Sequence, residues 1–228
     1  RMMKRYPVAP TTESELLERS HALAGLTLGE IAESVGICVP HESVRAKGFA
    51  GILLEQILGA TATSKPEPDF QLIGVELKSL PINALGKPRE STYVCTVPLI
   101  NNHDIRWETS TVKRKLTRVL WVPIVVETDA PIADRRIAMP LLWSASVDEE
   151  AALRHDWEEL MDMVVMGELN RVSAHHGTWL QIRPKAADSR ARGRSTNADG
   201  TPGVALPRGF YLRTSFTSKI LRQHYALP

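Results

Sequence analysis

Hydrophobic residues recur at helical spacing in several parts of the chain, and two of these parts begin with a clear helix-capping pattern. Thr12 and Thr27 each precede a glutamate three positions later, which is the pattern of a capping box. Ile52 falls on the apolar stripe of a third helix and is expected to be buried. Helices are predicted over about 12–23, 27–36, 48–58, 147–169 and 214–224, with a helical turn over 109–115.

Other segments are rich in β-branched and aromatic residues and predict β-strands, because such residues suit a pleated, partly buried surface. Strands are predicted over 71–80, 91–98, 119–127, 179–182 and 209–212. The polar segment 185–203 shows neither the helical nor the strand pattern of apolar residues and predicts a mobile loop. The predicted fold class is therefore α/β, with helices flanking a central mixed sheet.

The composition is that of an ordinary globular protein. Of the 228 residues, 43% are hydrophobic and 24% are charged. Domains commonly span about 100–200 residues, so we expect a single domain over 1–228 with two lobes. The N-terminal arm is expected to run to about residue 105, and the C-terminal arm from about 106 to 228.

Positive charge is concentrated near the C-terminus. The segment 183–222 holds nine Lys or Arg residues against two Asp, a net charge of +7, whereas the whole chain carries only +2 and the remainder therefore −5. A basic section joined to an acidic body suits a polyanion-binding arm beside a cation-binding site. A solvated surface loop is the alternative, and charge alone does not choose between them.

Neither a secretory leader nor a membrane span is predicted. The basic N-terminal stretch lacks the apolar segment of a signal peptide, and no apolar run approaches the ~20 residues that cross a bilayer. Cys38 and Cys95 are the two cysteines. Both are expected to be free, buried thiols, and a single structural disulfide between them is the alternative. These patterns predict a soluble, cytoplasmic protein with no membrane partner.

An acidic and basic motif lies at the start of the first predicted strand. Glu76 and Lys78 share one face of that strand, because side chains alternate with period two, and Asp69 lies just upstream. Asp69, Glu76 and the backbone carbonyl of Leu77 offer hard oxygen ligands to Mg²⁺, and Mn²⁺ or Ca²⁺ are accepted by the same ligands. Lys78 is then placed to orient or deprotonate an attacking water beside a phosphate.

Taken alone, this motif leaves a structural interpretation open. An Asp, a Glu seven residues later and a Lys two residues after that form a loose pattern that many sequences match by chance. A Glu–Lys pair on a surface strand is also common. The motif alone therefore only suggests a metal-dependent nuclease of the PD-(D/E)XK type.

Seven stretches of sequence in collinear order, two of which contain the acidic and basic motif, resemble the MutH family of mismatch-repair endonucleases. They are SKPEPDF at 64–70, GVELK at 74–78, WETS at 107–110, VLWVP at 119–123, WEELMDM at 157–163, QIRPKA at 181–186 and LPRGFYL at 206–212. The resemblance implies a restriction endonuclease-like fold with two arms around a DNA-binding cleft. It also implies a monomer that uses Mg²⁺ to nick the unmethylated strand of double-stranded DNA at hemimethylated GATC sites. MutL is the implied stimulating partner, with MutS upstream.

The resemblance also assigns roles to individual residues. Asp69, Glu76 and Lys78 match the catalytic core. Glu55 matches an acidic residue near the metal site, and Lys115 matches a second lysine that approaches the cleavage site. The residues expected to bind DNA are Lys47, Tyr93, Arg183, Pro184, Lys185 and Tyr211, with Tyr211 the candidate sensor of the adenine methyl group. The chain departs from the family pattern over about 188–204, so the role of that segment in clamping DNA is unassigned.

Two other functions compete with this interpretation. Residues 26–37 look like the first half of a helix-turn-helix, with Arg45 and Lys47 then on a recognition helix, which would make the protein a DNA-binding regulator without catalysis. Pro40 interrupts the expected turn, and that hypothesis leaves the acidic and basic motif unexplained. The second alternative is a dimeric type II restriction endonuclease that cuts both strands.

Overall fold

The computed structural model describes residues 7–41, 48–62, 66–185 and 193–225. The chain forms two compact units, and each is built from two separate stretches of sequence. The first comprises 1–89 and 117–144, and the second 90–116 and 145–228. These units do not follow the expected division near residue 105, because the strand Val119–Val125 pairs with the strand that carries the acidic and basic motif.

Three helices within 7–41 and 48–62 precede the sheet of the first unit. They are α1 (Glu13–His21), α2 (Leu28–Ser34) and α3 (Phe49–Leu58). The two predicted caps are present, since the Thr12 and Thr27 hydroxyls accept hydrogen bonds from the backbone N–H groups of Glu15 and Glu30, each at 3.1 Å. Gly59 ends α3 in the left-handed conformation.

The sheet of the first unit is mixed, as predicted. Strand β1 (Glu76–Ile82) runs parallel to β3 (Val119–Val125), and β3 also pairs antiparallel with β4 (Arg136–Ile137) and β5 (Leu141–Trp143). Six of the seven residues of β3 are buried, which explains its continuous apolar sequence. A hydrophobic core forms between this sheet and the helices, with Leu54 and Val75 fully buried within it.

The second unit has its own three-stranded antiparallel sheet. Its order is β2 (Thr92–Thr96), β9 (Arg208–Leu212) and β6 (Leu180–Pro184). The helices of this unit are α4 (Thr111–Leu116), α5 (Val147–Val165) and α6 (Thr214–Tyr225). A capping box of Ser146 and Glu149 begins α5.

The predicted α/β class and most predicted elements are confirmed, but some local predictions are wrong. Residues 71–74 form a turn rather than the start of β1. Strands β7 (Gly193–Thr196) and β8 (Pro202–Ala205) form a hairpin where a loop was expected. Ile52 is 57% exposed, because the buried side of α3 is formed by Leu53, Leu54 and Leu58.

The two cysteines are both free, as predicted, although Cys38 is exposed and only Cys95 is buried. No helix within the described ranges is both long enough and apolar enough to cross a bilayer.

Candidate active site and candidate nucleic-acid interface

Asp69 is fixed beside the first residues of β1 by hydrogen bonds at both its main chain and its side chain. Its carbonyl oxygen accepts from the backbone N–H groups of Thr61 and Ala62 at 2.9 and 3.1 Å. One carboxylate oxygen, Oδ2, accepts from the backbone N–H of Leu77 at 2.8 Å. This buried carboxylate therefore lies against the backbone of the strand that carries the rest of the motif.

A tight turn brings Asp69 back to β1. Phe70 and Val75 form an isolated antiparallel bridge, with the Phe70 N–H donating to the Val75 carbonyl at 2.8 Å. Gly74 has a φ of +67°, a conformation that side-chain-bearing residues rarely adopt. The six residues between Asp69 and Glu76 therefore form a turn that brings Asp69 back beside the start of β1.

Glu76 and Lys78 lie on the same face of β1, as the alternation of side chains predicted. The Lys78 Nζ lies 3.4 Å from Oε1 of Glu76. The Lys78 side chain is only 13% exposed and the Glu76 side chain only 5%. A buried ion pair of this kind is costly to desolvate and contributes little net stability by itself, so its position at the sheet edge is better explained by function than by folding.

The backbone of β1 offers one more oxygen ligand. The Glu76 N–H donates to the Arg118 carbonyl beside β3, whereas the Leu77 N–H points the other way, toward Asp69. In a β-strand the N–H and C=O of one residue point to the same side. The Leu77 carbonyl is therefore directed to the edge of β1 where the Asp69 carboxylate lies.

These groups suit a hard divalent cation. Two carboxylates and one carbonyl are the kind of oxygen ligands that Mg²⁺ accepts, with waters completing the coordination. Within 7–41, 48–62, 66–185 and 193–225, no three side chains of Asp, Glu, His or Cys cluster to hold a metal. Glu55 therefore does not complete a three-carboxylate cluster with Asp69 and Glu76.

The other predicted residues, Glu55, Lys115 and Lys47, do not belong to the motif on β1. Glu55 is half-buried on α3, which packs against β1 in the first unit. Lys115 lies on α4 of the second unit, where α4 packs against β2. Lys47 lies outside the described residues, as does the segment 42–47 that would hold the second helix of the alternative helix-turn-helix.

Five of the six predicted DNA-binding residues lie on the sheet of the second unit or, for Lys185, directly after its strand β6. Tyr93 and Tyr211 are paired across β2 and β9, and their ring centroids are 5.4 Å apart. The Arg183 guanidinium lies 5.9 Å from the Tyr211 ring centroid, and the Lys185 Nζ lies 5.1 Å from that of Tyr93. Pro184 lies between these two cations on β6.

Gly209 provides the surface on which the two tyrosine rings rest. A Cβ at this position would lie 2.9 Å from Cε2 of Tyr211 and 2.9 Å from Cε2 of Tyr93, closer than real side chains approach. Burial raises the pKa of Tyr211 above its ordinary value of 10.0, and Tyr93 adds to the shift while the nearby cations oppose it. The Tyr211 hydroxyl is therefore neutral at physiological pH and available as a hydrogen-bond donor.

Sequence reasoning missed three members of this group. Ser91 accepts a hydrogen bond from Nη1 of Arg183 at 3.0 Å, and Thr96 accepts one from Nζ of Lys185 at 3.0 Å. The third member is Gly209 itself. All three are small residues whose neighbours come from distant parts of the chain, so neither periodicity nor a local motif marks them.

Comparison with known proteins gives consistent matches. A family model described as "MutH: DNA mismatch repair enzyme MutH" matches residues 58–156. A DNA mismatch repair protein MutH from Serratia proteamaculans is 51% identical over 219 residues, covering 96% of each chain. The corresponding protein of Yersinia enterocolitica is 52% identical, and the match covers 97% of each chain. That of Escherichia coli is 50% identical, and the match covers 96% of this chain and 95% of the relative.

Proposed function

Because the chain belongs to the MutH family of DNA mismatch repair enzymes, we propose that it is a Mg²⁺-dependent endonuclease that nicks the unmethylated strand at hemimethylated GATC sites. Its mixed α/β architecture fits the restriction endonuclease-like fold of that family. The observation that carries the proposal is the hydrogen bond between Asp69 and the Leu77 N–H, which places a buried carboxylate beside Glu76 and Lys78.

In this proposal, Asp69, Glu76 and the Leu77 carbonyl hold the divalent metal. A bound Mg²⁺ lowers the pKa of a coordinated water and neutralises charge on the scissile phosphate. Asp69 is already oriented by the Leu77 N–H, so its carboxylate needs little rearrangement to act as a ligand. Glu55, on the helix that packs against β1, is proposed to contribute to the acidic surroundings of the site.

Lys78 is proposed to act on the attacking water. Its Nζ is held 3.4 Å from Glu76, so the amine lies beside the metal ligands without being a ligand itself. At that position Nζ can orient or deprotonate the water, and its positive charge offsets the negative charge that develops on the phosphate. Lys115 is proposed as a second lysine that contributes positive charge at the cleavage site.

The group of Tyr93, Arg183, Pro184, Lys185 and Tyr211 is proposed to contact the DNA, together with Lys47. Arg and Lys suit phosphates and base edges, and the methyl group of N6-methyladenine projects into the major groove. The half-buried Tyr211 ring is packed between Tyr93 and Gly209 and cannot easily move aside. We propose that this ring excludes the methyl group from the strand to be cut.

The active unit is proposed to be a cytoplasmic monomer, stimulated by MutL downstream of MutS. A chain with one set of Asp69, Glu76 and Lys78 has one cleavage centre, so one binding event breaks one strand. A dimer would bring two centres and cut both strands.

The proposal is tested by incubating supercoiled plasmid that carries GATC with the protein and Mg²⁺, with and without MutL. Conversion to the open circular form, prevented by EDTA, is the expected result. A linear product would indicate a double-strand break and a type II restriction activity. Plasmid that stays supercoiled under all conditions would refute the endonuclease proposal.

A further inference from the structure

A β-bulge in β2 brings two side chains to the same face of the sheet. Tyr93 pairs with Tyr211, but Cys95 pairs with Phe210, so the register shifts by one residue between them. Without the bulge, Tyr93 and Thr96 would point to opposite faces, because they are three residues apart on a strand. With the bulge, Thr96 pairs with Gly209 and shares the face of the two tyrosines.

Thr96 contacts both Tyr93 and Lys185 in a small hydrogen-bonded group on this face. Its hydroxyl lies 3.1 Å from the Tyr93 hydroxyl and accepts a hydrogen bond from Nζ of Lys185 at 3.0 Å. The same Nζ lies 5.1 Å from the centroid of the Tyr93 ring. Thr96 and Tyr93 therefore both contact the Lys185 amine, although the Lys185 side chain is exposed to solvent.

The partners that hold Lys185 are neutral. In the described part of the chain, Lys185 forms no ion pair with a carboxylate, in contrast to Lys113 and Lys219, which pair with Glu150 and Glu149. A lysine restrained by a hydroxyl and an aromatic face retains N–H donors for another acceptor. That combination suits an anion-binding position rather than a structural ion pair.

We propose that Thr96 is a positioning residue that holds Lys185 above Tyr93 as a preformed contact for a DNA phosphate. The inference rests on the proposed function, since it names a part of the DNA interface of that enzyme. Lys binds phosphate as a point charge, and restraining it before binding reduces the conformational entropy lost on association. Thr96 itself does not have to touch the DNA.

The test is a double-mutant cycle on DNA binding, measured in EDTA with a short GATC duplex so that no cleavage is needed. Thr96→Val removes the hydroxyl while preserving shape, and it should weaken binding about three- to tenfold, the worth of one net hydrogen bond. Thr96→Ser keeps the hydroxyl and should bind like wild type. Thr196→Val, on strand β7 of the same unit, is the matched control and should also bind like wild type.

The decisive comparison is made in the Lys185→Met background. If Thr96 acts through Lys185, adding Thr96→Val should cause no further loss of binding. A full additional loss there, or wild-type binding by Thr96→Val alone, would overturn the inference. If the wild type binds the duplex but does not cleave it in Mg²⁺, the proposed function is contradicted, whereas the role of Thr96 in DNA binding is not. Failure of the wild type to bind the duplex would overturn both.

Discussion

At the scale of single residues, Asp69 has a structural role in the fold and a proposed role in the active site. Its carboxylate is nearly buried, and Oδ2 accepts the Leu77 N–H at 2.8 Å. An asparagine can still accept that hydrogen bond through its carbonyl oxygen, but it lacks the charge that a metal requires. The two roles can therefore be separated by substitution.

We expect Asp69→Asn to fold with nearly wild-type stability and to bind DNA, but to lose nicking. Asp69→Ala should also lose nicking and, in addition, be less stable by about 1–3 kcal/mol, because the buried Leu77 N–H loses its partner. Denaturant unfolding and plasmid nicking measure the two effects. Glu67→Gln is the control, since Glu67 is an exposed acid two residues away that bonds to Gln71. Nicking by Asp69→Asn at the wild-type rate would remove Asp69 from the site.

Tyr211 gives a second prediction at this scale. Tyr211→Ser leaves a void beside Gly209 and Tyr93, so it should cut less efficiently overall but tolerate N6-methyladenine better, because the excluding ring is gone. Tyr211→Phe keeps the ring and should keep the discrimination. The measurement is the ratio of nicking rates on unmethylated and fully methylated GATC duplexes. An unchanged ratio for Tyr211→Ser would make Tyr211 a packing residue only.

At the scale of elements, the sequence was sufficient where one local rule decides the structure. The capping patterns at Thr12 and Thr27 correctly predicted the starts of α1 and α2. Period-two alternation correctly placed Glu76 and Lys78 on one face of β1. These features depend on neighbours within four residues, which a single sequence contains.

The sequence was insufficient where distant segments decide the structure. The strand predicted over 71–80 begins only at Glu76, because Gly74 at positive φ and the Phe70–Val75 bridge turn the chain. The hairpin of β7 and β8 was missed because its turn signal, Asp199–Gly200, lies in a segment without apolar alternation. The bulge in β2, and with it the contact between Tyr93 and Thr96, depends on the register with β9.

Glu149 at the start of α5 gives a prediction about stability and pH. Burial acts to raise its pKa, but the Ser146 backbone N–H and Lys219 outweigh this and hold the pKa below its ordinary value of 4.5. Glu149→Gln keeps the capping hydrogen bond and loses the charge. At neutral pH it should be less stable than wild type by about 1 kcal/mol.

The sign of the pH dependence follows from the lowered pKa. The stabilisation from the Glu149 carboxylate is present above pH 4.5 and is lost as pH falls through the lower pKa of the folded state. The stability difference between wild type and Glu149→Gln should therefore shrink in acid, as measured by urea unfolding at several pH values. Glu150→Gln, which breaks the ion pair between the partly exposed side chains of Glu150 and Lys113, should differ from wild type by less than about 0.5 kcal/mol. A difference that grows in acid would contradict this account.

At the scale of the whole molecule, the two units carry different parts of the proposed function. The first carries the acidic group of Asp69 and Glu76, and the second carries the cations and tyrosines of the proposed DNA interface. The segment 183–222, with its net charge of +7, belongs to the second unit and suits the binding of a polyanion. Fold membership could be predicted from sequence because many weak matches are collinear, whereas the division into units could not, since both units are discontinuous.

This charge distribution predicts a steep dependence of DNA binding on salt. Replacing Arg190, Arg192 and Arg194 together by Ala should weaken binding to all sequences alike, and it should reduce the slope of log affinity against log salt by up to about 3. Arg194 is exposed on β7, and the other two lie outside the described residues. Arg171→Ala, outside the basic section, is the control. A loss confined to GATC would instead mean that this segment reads bases.

The most direct test of the central claim is strand-specific nicking of a hemimethylated GATC duplex labelled differently on its two strands, with Mg²⁺ and MutL. The account predicts that only the unmethylated strand is cut, that EDTA prevents the cut, and that Glu76→Gln shows none. Cutting of the methylated strand, cutting of both strands together, or no cutting by the wild type in the presence of MutL would contradict it.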